Sequence, residues 1–294
     1  MTTVKSFGPE PGTTVTAAAA PAVSGGWEDG DYTAAGDAWA HAADDVVRAA
    51  LTGLVGVPRV LDVGTGSGPA ALAAARRGAR VVGLDREPGL LRVAVERARR
   101  PAQPLGWVAG DARRLPFRAG AFDVVLSTFG VMFAPEPARV AAELVRVTRP
   151  GGRLAVASWT PGGIMGLIAP TVLRHLDGPP GPPAPTRWGE PDRVAAWFAP
   201  LPVTVRCRRA RVRVRYPSVA HAVAVFETKP GPIRAHRRNL ERAGRWDRAR
   251  ADLAGLFAAH NRADDGSLVF DAPYLLVEGR VRTDRAGNSA EHGR

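Results

Sequence analysis

The chain has 294 residues, of which 45% are hydrophobic, and a single cysteine, Cys207. That length suits one large α/β domain or a core with appendages, the apolar fraction excludes the disordered class, and one cysteine excludes a disulfide framework or a cysteine-rich zinc site. The net charge of +12 is almost all arginine, in a chain also rich in Ala, Gly and Pro as a GC-rich genome would make it. Its densest basic stretch, Arg206, Arg208, Arg209, Arg211, Arg213 and Arg215, alternates with Val205, Val212 and Val214 and reads as a strand with one wet face. Only Tyr216 stands near it, whereas nucleic-acid grooves interleave aromatics with charge, so no nucleic-acid partner is expected.

Residues 1–25 read as a flexible tail in which Pro9 to Gly12 interrupt the approach to Ala17–Ala20, unlike a signal peptide. With no apolar run of the roughly 20 residues that span a bilayer, the expectation is a cytoplasmic protein off the membrane. Val46, Val47, Ala50, Leu51, Leu54 and Val55 recur at helical spacing with Asp44 as cap. Arg59 to Val63 is a buried strand entering a tight turn, and Pro69 opens a helix that stops at Gly78. Arg80 to Leu84 is a second strand, closed by Asp85. Pro88 opens a helix with Leu91, Ala94, Val95 and Ala98 inward.

Leu105 to Ala109 and Phe122 to Leu126 are the third and fourth strands. Pro137 to Thr148 is a helix with Val140, Leu144 and Val147 inward, and Arg153 to Ser158 is the fifth strand. Strands alternating with helices over residues 59–158 predict a doubly wound, mostly parallel sheet, seven-stranded once Val203 to Tyr216 and Leu268 to Val281 are added. Between them lie one short helix, a stiff Pro-rich loop from Gly178 to Pro185, and helices over Ser218 to Glu227 and Ile233 to His260. In the latter Trp246, Leu253, Leu256 and Phe257 face inward. The expected organisation is one domain over 26–281, with a cofactor-binding core at 59–159, a substrate lid or helical insertion at 160–230, and a polar tail at 282–294.

The turn Gly64-Thr65-Gly66-Ser67-Gly68 admits three ligand classes. A triphosphate loop needs Lys and Ser/Thr after its last glycine, where Pro69 and Ala70 stand. A dinucleotide fold wants a third glycine where Pro69 lies, which disfavours NAD without removing it. S-adenosylmethionine presents a ribose diol, an adenine amine, an amino-acid end and a sulfonium. Asp85 can accept the ribose hydroxyls, Asp111 the adenine amine, and Asp62 can favour the ammonium, an acidic pocket inside a basic protein. Asp62 could equally serve the backbone of its own loop.

Val60-Leu61-Asp62-Val63-Gly64-Thr65-Gly66-Ser67-Gly68 resembles motif I of the class I S-adenosylmethionine-dependent methyltransferases. Val82-Gly83-Leu84-Asp85, Gly110-Asp111-Ala112 with Leu115-Pro116-Phe117, Ala121 to Val125, and Arg149-Pro150-Gly151-Gly152 are similar to the next blocks in order. The likeness is to the ubiquinone/menaquinone C-methyltransferase subgroup, covers residues 57–159, and extends more weakly to an arm at Trp27 to Tyr32. The resemblance implies a Rossmann-like fold with Gly64, Thr65, Gly66 and Gly68 along the methionine and ribose and Asp85 on the ribose. It further implies Arg86 and Leu90 beside the adenine, Asp111 and Ala112 at its edge, and Ser127 at the sulfonium side.

Methyl transfer needs alignment and water exclusion more than acid–base chemistry. No catalytic base is named by the sequence; His41, His175, His221 and Tyr32 are candidates, and no metal is expected. The Asn/Asp-Pro-Pro-aromatic motif of DNA amino-methyltransferases and the paired glutamates of protein arginine methyltransferases are absent after the fourth strand, where Ser127-Thr128-Phe129-Gly130 stands. Phe129, Met132 and Trp159, with Tyr32 if the arm folds over, suit an apolar or aromatic small metabolite, quinone-like or from secondary metabolism. Val131 and Phe133 read as core. The alternatives are a cyclase or other non-methylating enzyme that keeps the cofactor, an NAD-dependent oxidoreductase, and an Arg-rich nucleic-acid binder. A homodimer stays open.

Overall fold

Strand β1 (Arg59–Val63) lies at the middle of a seven-stranded sheet of order β3-β2-β1-β4-β5-β7-β6, in a computed structural model that describes residues 40–98, 105–177, 185–228 and 232–283. β1 pairs in parallel with β2 (Arg80–Asp85) on one side and with β4 (Phe122–Thr128) on the other. β3 (Leu105–Ala109) extends the first flank, and β5 (Thr148–Trp159) the second. Chain order reverses between β1 and β4, so the carboxyl ends of these strands open on a crevice, the place where doubly wound sheets bind ligands. β7 (Leu268–Val281) inserts antiparallel between β5 and β6 (Val203–Tyr216).

The helices are α1 (Ala40–Leu51), α2 (Pro69–Arg76), α3 (Pro88–Arg97), α4 (Pro137–Val147), α5 (Ile164–Leu173), α6 (Pro191–Phe198), α7 (Val219–Thr228), α8 (Pro232–Arg242) and α9 (Trp246–His260). Proline opens α2, α3, α4 and α6, where a missing N–H leaves no bond unmade. α1 packs on α2 and α4 on α6, while α5, α7, α8 and α9 pack on one another as a cap joined to the sheet through β7. One continuous apolar core runs from α1 through the strands into that cap, with Leu61, Leu126, Leu144, Leu253 and Phe257 fully enclosed.

Several expectations change. α1 begins before Asp44, so Asp44 is not its cap; it pairs with Arg77 at 3.1 Å. Val55 lies beyond the helix and is fully exposed, and Val95 of α3 faces solvent while Leu90 turns inward. The helix read over 233–260 is two, broken at Gly244, whose φ of +66° no helix tolerates. Residues 160–200 hold two helices and a 3-10 turn rather than one helix, and the cap is not continuous over 160–230: α6 and β6 return to the core, and α7–α9 complete it.

On β6 the buried set moves from Val203 to Val212, Val214 and Tyr216 without any slip in its pairing with β7. That is a change of face, since alternate side chains point opposite ways; the strand is not wet on one face throughout. Among the described residues no helix is long and apolar enough to cross a membrane.

Candidate functional site

The Gly64–Gly68 turn is fastened to its neighbours through backbone. Gly64 and Thr65 both donate to the Leu84 carbonyl, at 2.8 and 3.0 Å, so the turn leans on the end of β2. Gly64 (φ +68°) lies against the turn after β4; a Cβ there would stand 2.7 Å from Gly130 Cα, and one on Gly130 2.5 Å from the Gly64 carbonyl oxygen. Two glycines thus let the loops after β1 and β4 touch main chain to main chain. Gly68 is needed for a different reason. A Cβ on it would meet the Trp107 ring at 2.8 Å, so its bare backbone admits close packing beneath the turn.

Three carboxylates surround this turn. Asp62 is buried; its Oδ2 accepts from Thr65 Oγ1 (2.7 Å) and from the Ala71 N–H in the first turn of α2 (3.1 Å). Its Oδ1 is buried with no partner. Burial pushes Asp62 up to about 6, against the bonds from Thr65 and Ala71. Asp85, at the end of β2, accepts from the Gly66 N–H (2.8 Å) and the Glu87 N–H (3.0 Å), and burial raises its pKa too. Asp111 after β3 is gripped by the Arg113 side chain at 2.6 Å, which holds it below the usual carboxylate range.

β4 ends in Ser127 and Thr128. Ser127 Oγ accepts from the Val131 N–H at 3.0 Å, closing a 3-10 turn over Val131–Phe133. Phe129 adopts φ +57°, a rare conformation for a bulky side chain that costs roughly 1–3 kcal/mol. Its ring stacks on Trp159 from the end of β5, centroids 3.6 Å apart and planes 9° from parallel, with Tyr274 edge-on at 5.7 Å. The turn thus aims Phe129 at the crevice wall.

One cavity of about 390 Å³ joins these features. At one end it is lined by Asp62, Gly64, Thr65, Gly66, Asp85, Arg86, Leu90, Asp111 and Ala112; at the other by Thr128, Phe129, Met132 and Trp159, with Met165 and Ile168 of α5, Thr186, Phe226 and Ile233. Nine of the eleven residues read as cofactor-binding therefore converge. Gly68 and Ser127 do not line it: the first lies under the turn, and the second is fully enclosed, its neighbour Thr128 taking the wall position.

Phe133, read as core, is half-exposed at the rim, and Val131 is both buried and lining. Tyr32, the arm at Trp27 to Tyr32 and the loop residues 178–184 lie outside the described residues. None of the three candidate histidines lines the cavity: His175 bonds Asp252 at 2.7 Å, and His41 and His221 are exposed. Met165, Ile168, Phe226 and Ile233 were missed because only tertiary packing carries them there. Among the described residues no group of three His, Cys, Asp or Glu could hold a metal.

Residues 61–156 match the family described as a methyltransferase domain. An uncharacterized protein of Mycobacterium tuberculosis is 40% identical over 189 residues, 64% of this chain and 69% of its own. A demethylmenaquinone methyltransferase of Renibacterium salmoninarum is 43% identical over 108 residues, 37% of this chain and 44% of its own. The YcgJ protein of Bacillus subtilis shares the fold at a TM-score of 0.54 and 17% identity, covering 83% of this chain and 99% of its own. The chain belongs to the class I S-adenosylmethionine-dependent methyltransferases.

This methyltransferase takes S-adenosylmethionine as its cofactor, and the crevice suits that molecule. The open space over Gly66 leaves backbone accessible, and the unpartnered Asp62 oxygen in an acidic neighbourhood complements a cation.

Proposed function

We propose that the chain methylates a small, apolar or aromatic metabolite, quinone-like or of secondary metabolism, in the cavity between the glycine turn and the helical cap. The observation that carries this reading is the polarity of that cavity: carboxylates and glycines at one end, Phe129, Met132, Trp159, Met165 and Ile168 at the other. Phe129 and Trp159 offer a flat stacked wall, which suits a planar acceptor. The likeness to a demethylmenaquinone methyltransferase over 108 residues agrees with an aromatic acceptor.

At the polar end, Asp85 meets the ribose diol. Its two oxygens already accept one N–H each, and a carboxylate has lone pairs for about four donors. Asp62 Oδ1 favours the ammonium, and Gly64, Thr65 and Gly66 line the amino-acid and ribose portion. Arg86 and Leu90 flank the adenine, with Asp111, its charge pinned by Arg113, and Ala112 at the edge. S-adenosylmethionine supplies a methyl group already activated by its sulfonium; the protein aligns the acceptor and excludes water. In this reading the cap helices α5, α7 and α8, with Thr186, form the substrate lid.

Turnover tests this reading. S-adenosylhomocysteine released in step with a methylated product supports it; tight cofactor binding without transfer to any aromatic acceptor supports a non-methylating enzyme on this fold.

A further inference from the structure

A second groove lies at the far end of α1. Ala43 in the first turn of that helix lines the crevice, whereas Ala49 and Ala50 in its last turn line the groove, against the amino end of β5 and the neighbouring parts of β7 and β6. The charged side chains of its lining are four arginines, Arg153, Arg206, Arg280 and Arg282, and one carboxylate, Glu278. Strand register explains the clustering. Arg153 of β5 stands directly opposite Arg280 of β7, which stands opposite Thr204 of β6; two residues along, Glu278 stands opposite Arg206. Directly opposed residues of antiparallel strands point to the same face, so Arg153, Arg206 and Arg280 share one patch of sheet. Arg153 spends its Nη1 on the Ala50 and Thr52 carbonyls, at 3.1 and 2.6 Å, which fixes it beside the end of α1. Like charges directly opposite on a sheet destabilise the pairing. Glu278 offsets them incompletely, because it also meets Arg208 at 3.5 Å.

We propose that this groove is a second ligand site, which takes a diphosphate group, either free or at the end of a larger molecule. Guanidinium groups present paired N–H donors that match phosphate oxygens two at a time. Opposed side chains start about 5 Å apart and diagonal ones about 7–8 Å, so Arg153, Arg280 and Arg206 can all reach one bound anion. A diphosphate spreads its charge across all three, where a single phosphate engages fewer. The Thr204 and Thr283 hydroxyls stand in the same lining as further donors. Ala49, Ala50 and Ala155 leave the groove unfilled by side chains, and its volume of about 760 Å³ has room for a group attached to the diphosphate. Bound there, the anion also relieves the repulsion between Arg153 and Arg280. The site is more than the general basicity of β6. Arg209 of the same strand points to the opposite face and does not line the groove.

The test is calorimetry on the full chain with inorganic pyrophosphate, orthophosphate and uridine diphosphate. Saturable binding of pyrophosphate is expected, about ten-fold or more tighter than orthophosphate, with a rise in Tm. Arg280→Ala and Arg206→Ala are each expected to weaken it about ten-fold or more and to abolish the Tm rise, while Arg209→Ala leaves it within about two-fold. Affinity for S-adenosylhomocysteine should be unaltered in all three variants. Tighter binding of uridine diphosphate than of pyrophosphate supports a larger diphosphate-bearing ligand, and equal or weaker binding supports the free diphosphate. A groove already filled within the full chain would give no saturable binding, which overturns the proposal. An equal loss in Arg209→Ala, which would mean diffuse charge attraction, overturns it too. So does displacement of pyrophosphate by S-adenosylhomocysteine, which would put the anion in the crevice.

Discussion

Asp62 combines a structural bond with an unspent one. One oxygen holds the Thr65 hydroxyl of the turn and the Ala71 N–H of α2, and the other is buried and free. Its pKa, raised to about 6 from an ordinary 3.8, has two consequences of opposite sign. Between those values the folded chain keeps a proton that the unfolded chain has lost, so this group's contribution to stability falls as pH rises through the window, by about 3 kcal/mol at most. Asp62→Asn is expected to remove that slope from urea unfolding measured at several pH values.

Ligand affinity runs the other way. An ammonium needs the ionised carboxylate, so S-adenosylhomocysteine should bind more tightly from pH about 5 to about 7 in the wild type and not in Asp62→Asn. A parallel pH dependence in both proteins would dissociate Asp62 from the ammonium. Of the two uses weighed for this residue in the sequence, the bond within its own loop is made by Oδ2, and the ammonium is the proposed partner of Oδ1. Ser127 and Thr128 show the limit of such reading. Which of these two adjacent residues lines the crevice depends on how β4 turns at Phe129, and nothing local in the sequence states that a phenylalanine will take a positive φ.

The strands were the most legible elements, because short apolar runs ending in glycine or aspartate stand for buried strands feeding turns, and β1 and β3 fall on their predicted residues. Boundaries set by partners were not legible. The start of α1 ahead of Asp44, the exposure of Val95 and the change of face along β6 follow from which helix covers which surface. The Gly64–Gly130 contact makes a prediction at this scale. Gly64→Ala forces a Cβ against Gly130 backbone in a conformation alanine resists, with about 2 kcal/mol or more of stability lost. S-adenosylhomocysteine affinity should fall with it. Gly66→Ala, which meets open space, should be milder in stability, with strain at its positive φ the main loss. Equal melting temperatures for Gly64→Ala and the wild type would show that the two loops are not locked together.

Across the molecule, the cofactor end of the cavity was readable because its residues sit at the ends of consecutive strands, where chain order alone brings them together. The acceptor end was not, since it draws on α5, Thr186, α7 and α8, which sequence places far apart. The arginines of β6 are partly neutralised in place: Arg208 pairs with Glu278, Arg211 and Arg213 with Asp271, and Arg215 with Asp265. A ligand bound between core and cap should stabilise both together, by about 2.7 kcal/mol at a hundred-fold excess over Kd, seen as one cooperative melting transition moving upward.

The central claim, that Asp85 and the glycine turn hold the methyl donor, is tested most directly by calorimetry. S-adenosylhomocysteine and NAD are each titrated into the wild type and into Asp85→Ala. The expected result is tight binding of S-adenosylhomocysteine alone, weakened at least about ten-fold by Asp85→Ala. Unchanged affinity in that variant, or preference for NAD, would contradict it.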